Sequence, residues 1–106
     1  MKYLLKATIG AEDGNRAIKN GSLGKNMKEI VGELKPEAAY FGPDQNGKRT
    51  VFLIVNINEA SEIVKTAEPF FLAFNAEVQL TPVMTAEDLD KGFRNLESLV
   101  SKYAQR

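Results

Sequence analysis

Any chemistry in this chain must come from carboxylates, amides, hydroxyls, lysine and arginine, because its 106 residues include no cysteine and no histidine. Without thiols there is no disulfide, no thiolate metal site and no cysteine nucleophile. Imidazole is the commonest metal ligand and the usual general base near neutral pH. Its absence excludes a Ser-His-Asp triad, a histidine-ligated haem and the ordinary zinc sites. A carboxylate-only calcium or magnesium site would remain, but the sequence has no D-x-D-x-D-G loop. No metal and no cofactor is expected.

The residues that remain are Lys6, Thr8, Asn15, Arg16, Tyr40, Asn56, Glu68, Glu77 and Gln79. Lys6 and Glu77 are expected on neighbouring strands, close enough to pair. A carboxylate beside a buried lysine can act as acid or base once its pKa is moved. The plainer alternative is a cross-strand ion pair worth a few tenths to about 1 kcal/mol, and buried ion pairs are more often structural than catalytic. Arg16, with Asn15, Lys19 and Lys25 nearby, could grip a carboxylate or phosphate; a solvated basic segment is the plainer reading of the same residues. Glu68 precedes Pro69, where a kink would turn it toward the end of a sheet.

These side chains need elements to hold them. Residues 3–9 alternate, with Tyr3, Leu5, Ala7 and Ile9 on one side and Leu4, Lys6 and Thr8 on the other, which predicts a strand with one apolar face. A short helical turn is expected over 15–20. A helix follows with Ser22 as N-cap, carrying Leu23, Met27, Ile30, Val31 and Leu34 on one stripe and stopping at Pro36. Ala38–Phe41 and Thr50–Ile57 read as two strands of a hairpin around the turn-rich 42–47 segment. Ile63, Val64, Ala67, Phe70, Phe71 and Phe74 follow a helical spacing from a cap at Asn58, with a break or kink at Pro69, and the three phenylalanines are expected in the core. Glu77–Val83 is the fourth strand. Thr85 with Asp88 signals a capped helix whose stripe is Leu89, Phe93, Leu96, Leu99, Val100 and Tyr103.

The order β-α-β-β-α-β-α gives one α+β domain over residues 1–106, a ferredoxin-like βαββαβ sandwich with an extra C-terminal helix. Its sheet order should be 4-1-3-2, with strands one and three central. The face turned away from the helices then carries Leu4, Lys6, Thr8, Thr50, Phe52, Ile54 and Asn56, with Glu77, Gln79 and Thr81 beside them. Strand two adds Tyr40 or Phe41, its phase being open. An apolar patch of this kind is rarely left exposed on a monomer. A homodimer that pairs two such faces would bury the patch and enclose the polar members in a lumen. The alternative is a monomer with a partly apolar open sheet, which its own C-terminal helix could cover.

The charge balance adds exclusions. Lysine plus arginine and aspartate plus glutamate each number 14, so no long-range field attracts nucleic acid or anionic lipid. Gly47-Lys48-Arg49 before Phe52 lacks the second aromatic of an RNA-recognition motif, and Gly21-Ser22-Leu23-Gly24-Lys25 is not a complete nucleotide loop. No stretch approaches a membrane helix and the first apolar run is short for a signal peptide. A soluble cytoplasmic protein, with no nucleic-acid or membrane partner, is expected.

Five segments carry a resemblance: Gly14-Asn15-Arg16-Ala17-Ile18, Gly21-Ser22-Leu23, Lys35-Pro36-Glu37-Ala38-Ala39-Tyr40-Phe41, Ala67-Glu68-Pro69-Phe70-Phe71 and Thr81-Pro82-Val83-Met84. Through them the chain resembles a family of uncharacterised bacterial proteins, itself similar to the dimeric α/β-barrel superfamily. Some relatives carry a pantothenate-synthetase label; that enzyme is a much larger nucleotide-binding ligase with histidine motifs absent from this chain. The resemblance implies the fold and the pairing of sheets, and it brings no catalytic residue with it. The expected role is a homodimer holding a small organic molecule between its sheets, with cofactor-free catalysis as an extension; the alternative is a non-enzymatic interaction or assembly module.

Overall fold

The alternation at the start of the chain produces β1 (Lys2–Ile9), with Leu5, Ala7 and Ile9 buried and Leu4, Lys6 and Thr8 half-buried on the reverse side. The computed structural model describes residues 1–104. Two helices follow, α1 (Ala11–Lys19) and α2 (Ser22–Leu34). The helical turn expected over 15–20 is thus a full helix that begins directly after Gly10, because Glu12 and Asp13 suit its positive N-terminal end. Ser22 is the first residue of α2 rather than its cap. Gly21, at φ 78°, makes the left-handed turn there, and the Asn20 side chain accepts from the Ser22 N–H at 2.9 Å. At the other end Lys35 adopts a left-handed conformation (φ 48°) and Pro36 prevents continuation, as expected.

The hairpin consists of β2 (Ala38–Pro43) and β3 (Arg49–Asn56). Its loop is built on Asp44-Gln45-Asn46-Gly47: the Gly47 N–H donates to the Asp44 carbonyl at 2.9 Å, and Gly47 supplies the positive φ of 73° needed to re-enter the ladder. Next comes α3 (Glu62–Phe74), which starts four residues after the expected cap Asn58. It runs through Pro69 as one helix, although that residue has no N–H to give the Lys65 carbonyl. Phe70 and Phe74 are buried, whereas Phe71 is exposed, so only two of the three phenylalanines join the core.

β4 (Glu77–Val83) completes a sheet of order β2-β3-β1-β4 in which all neighbours are antiparallel. α1, α2 and α3 pack together in one layer. Between that layer and the central strands lie Leu5, Ile9, Val51, Leu53 and Phe70, all fully buried, joined by Ile30, Val55, Ile57 and Phe74. Burying each of these larger side chains stabilises the fold by about 1.5–3 kcal/mol. The result is roughly a ferredoxin-like βαββαβ arrangement, with two helices in the first crossover. Both edge strands carry proline, Pro43 ending β2 and Pro82 within β4 opposite Tyr3.

After β4 the chain leaves the domain as an arm composed of α4 (Ala86–Gly92), a 3₁₀ turn (Phe93–Asn95), α5 (Leu96–Leu99) and a π turn (Val100–Ala104). The expected capping box is present: the Asp88 N–H donates to Thr85 Oγ1 at 3.1 Å and the Thr85 N–H donates to Asp88 Oδ2 at 3.2 Å. The arm does not cover its own sheet, which removes the C-terminal helix as a cover for the open face; every residue from Met84 to Ala104 is exposed. The radius of gyration is therefore 17.9 Å, against about 13 Å for a compact domain of ~100 residues.

Candidate functional site

Strand register places the side chains of the open face in rows. Ala38, Ile54, Leu4 and Thr81 form one row, Tyr40, Phe52, Lys6 and Gln79 the next, and Gly42, Thr50, Thr8 and Glu77 the third. Tyr40 is therefore the strand-two aromatic on this face, and Phe41 lies on the helix side opposite Val51. Leu4, Ile54 and Phe52 make a half-buried apolar floor, and Tyr40 stands beside it 69% exposed. Glu77, Gln79 and Thr81 form an exposed polar border on β4.

Each end of the floor is closed by a charged cluster. At one end the hairpin loop folds back over the sheet, and Asp44 Oδ2 lies 3.2 Å from Lys6 Nζ with its side chain only 2% exposed. The same carboxylate accepts from the Asn46 and Lys48 N–H groups at 2.9 and 3.2 Å. The Lys48 N–H first, then Lys6 and the Asn46 N–H, hold the Asp44 carboxyl below the usual aspartate range against the opposing effect of burial. The loop also covers Thr50, whose hydroxyl donates to the Lys48 carbonyl at 2.8 Å. At the other end Asn56 Nδ2 donates to Glu37 Oε1 at 2.9 Å and Lys2 pairs with the same oxygen. Asn56, followed by Lys2, lowers the Glu37 pKa.

Six of the residues selected from sequence therefore share this face: Lys6, Thr8, Tyr40, Asn56, Glu77 and Gln79. The expected Lys6–Glu77 pair does not form. Glu77 stands opposite Thr8, one row away, and Lys6 turns to Asp44. Asn15, Arg16 and Glu68 belong elsewhere. Asn15 and Arg16 line a groove of about 500 Å³ on α1, in the helix layer. There Arg16 is occupied by Asp13 at 3.1 Å and Glu12 at 3.5 Å. Glu68 is exposed on α3, which continues past it as one helix.

Asp44, Lys2 and Glu37 were not among the sequence candidates. The Asp-x-Asn-Gly pattern signals a turn with aspartate at its first position, but its reach across to Lys6 depends on how the loop folds back. Among the described residues no group of three or more acidic side chains could hold a metal ion. The face is equipped to bind a flat or branched apolar body on its floor, with Tyr40, Gln79 and Lys6 offering hydrogen bonds around it. No protein-family model matches the chain, and no curated protein matches it.

Proposed function

We propose that two copies of this chain pair their open sheet faces and hold a small, mostly apolar organic molecule between them. The observation that carries this reading is the composition of one face: Leu4, Ile54 and Phe52 half-buried with no layer over them among the described residues, bordered by Tyr40, Lys6, Gln79 and Glu77. Exposed apolar surface on a central sheet is unfavourable for a free monomer, and a two-fold pairing removes it from water on both copies together. The resemblance to the dimeric α/β-barrel superfamily supports the same arrangement. Charged clusters at both ends leave the floor itself uncharged, which favours a neutral ligand with one or two hydrogen-bonding groups. Cofactor-free catalysis would draw on the Tyr40 hydroxyl and the Lys6 amine, the two proton-carrying groups in the central row.

The test joins mass and melting temperature. Sedimentation should give a dimer, and a library of small apolar alcohols, ketones and phenols should contain molecules that raise Tm by mass action. That rise should shrink in Tyr40→Phe and vanish in Ile54→Lys. A monomer at working concentrations would overturn the reading. A second reading, a non-enzymatic assembly module, is favoured by the exposed arm; a dimer that no molecule in the library stabilises would support it instead.

A further inference from the structure

The arm exposes a long apolar stripe. Leu89, Phe93, Leu96, Leu99, Val100 and Tyr103 are each between 41% and 67% exposed. An isolated helix of this length is marginal in water, and helices in proteins draw most of their stability from packing an amphipathic face. This arm also contains a 3₁₀ turn and a π turn, so it needs a surface to lie on.

The domain presents a surface of matching character on its helix layer, on the opposite side from the sheet face discussed above. Leu23, Met27 and Val31 of α2 and Phe41 of β2 line an apolar groove of about 620 Å³. Gly24 and Gly32 also line it, and a Cβ at either would meet nothing within 4 Å. The helix axis could thus be approached closely at both. The stripe from Leu89 to Tyr103 would span about 21 Å as a helix, and the 13-residue α2 spans about 20 Å.

The charges agree as well. Lys28 lines the groove and Lys35 follows seven residues later, and neither has an ion-pair partner among the described residues. Asp90 and Glu97 are likewise seven residues apart beside the stripe and likewise unpaired. Lys28 on α2 and Lys35 at its left-handed C-terminal cap thus offer positive charge to the two carboxylates beside the stripe, opposite in sign as flanking charges are across paired helices. One chain therefore carries both halves of a helix-on-helix contact, and the groove is lined by no residue of its own arm.

We infer that the arm of each copy docks into the α2–Phe41 groove of a second copy. The exchange rests on the pairing proposed above for the presence of that second copy, and it adds a contact on a different face. The absence of native cysteine makes the test clean. Two full-length variants with different affinity tags, Leu96→Cys and Gly32→Cys, are mixed, incubated and oxidised. The expected product is a mixed disulfide dimer carrying both tags. Gly32→Trp, whose Cβ would meet nothing within 4 Å and whose indole would occupy the groove, should abolish the crosslink between Leu96→Cys and a Gly24→Cys partner.

A double variant, Leu96→Cys with Gly32→Cys, that forms only an intrachain disulfide would overturn the exchange, since the arm would then serve its own groove. Failure of every mixed crosslink would overturn it too. The two readings fail separately. A dimer that dissociates in Ile54→Lys but never crosslinks through the arm retains sheet pairing alone. Crosslinks that persist with Ile54→Lys and undiminished dimer mass retain the arm alone.

Discussion

Ile54 offers the most direct measure of sheet pairing, because it sits at the centre of the floor between Leu4 and Ala38. Ile54→Ala removes roughly three methylene equivalents, or about 2.4 kcal/mol of transfer free energy if all were newly buried. The side chain is already half-buried within its own chain, so about half of this, ~1.2 kcal/mol, belongs to the interface. A two-fold interface contains the residue twice. The dimer should therefore weaken by about 2.4 kcal/mol, roughly 50-fold in its dissociation constant. Sedimentation equilibrium over a wide concentration range reads this directly, and circular dichroism checks that the monomer keeps its fold. A dissociation constant unchanged within a factor of two would refute the face-to-face arrangement, since no dimer buried at this point could ignore the loss.

Three further outcomes follow from other parts of the molecule. The Asp44 pKa is depressed in the folded chain, so the stabilisation it gives is present above the ordinary aspartate value of 3.8 and is lost as pH falls through the lower folded value; Asp44→Asn should flatten that acid-side loss in a pH series of thermal melts and lower Tm at neutral pH. Thr85→Ala removes the cap that starts the arm, weakening that helix by about 1 kcal/mol, and should reduce helical circular dichroism while leaving the cooperative melt of the sheet domain in place. Phe70→Ala empties the fully buried centre of the helix layer and should cost about 3–5 kcal/mol in urea unfolding, with an unchanged denaturant slope.

The sheet was legible from sequence because two-residue periodicity states which side chains share a face. Leu5, Ala7 and Ile9 fell where alternation put them, as did Val51, Leu53 and Val55. The polar members Lys6, Thr8, Asn56, Glu77 and Gln79 were legible for the same reason. Strand two was too short and too uniform to reveal its phase, and only pairing with Phe52 places Tyr40. Helix starts were less legible, since Gly21 acts through its backbone and Ser22 looked like the better cap. The Lys6–Asp44 contact was invisible because 38 residues of chain separate its partners and no local pattern encodes a loop folding back. Arg16 misled because a basic residue in a long connection resembles an anion grip, whereas its own helix supplies Asp13 and Glu12 at ion-pair spacing. The arm was expected as one helix carrying one stripe, whereas the structure divides it into α4, a 3₁₀ turn, α5 and a π turn; periodicity shows only that a helix needs a neighbour and not which chain provides it.

The prolines of the two border strands bear on how large an assembly this molecule can build. A border strand with free N–H and C=O groups invites the next sheet to join side by side, and that process has no natural end. Pro82 removes a donor from one border and Pro43 closes off the other, so growth by backbone zippering is discouraged at both. Contacts through faces and grooves, once satisfied reciprocally, leave nothing further to recruit. The chemistry of these two residues thus favours a particle of fixed size over a fibre.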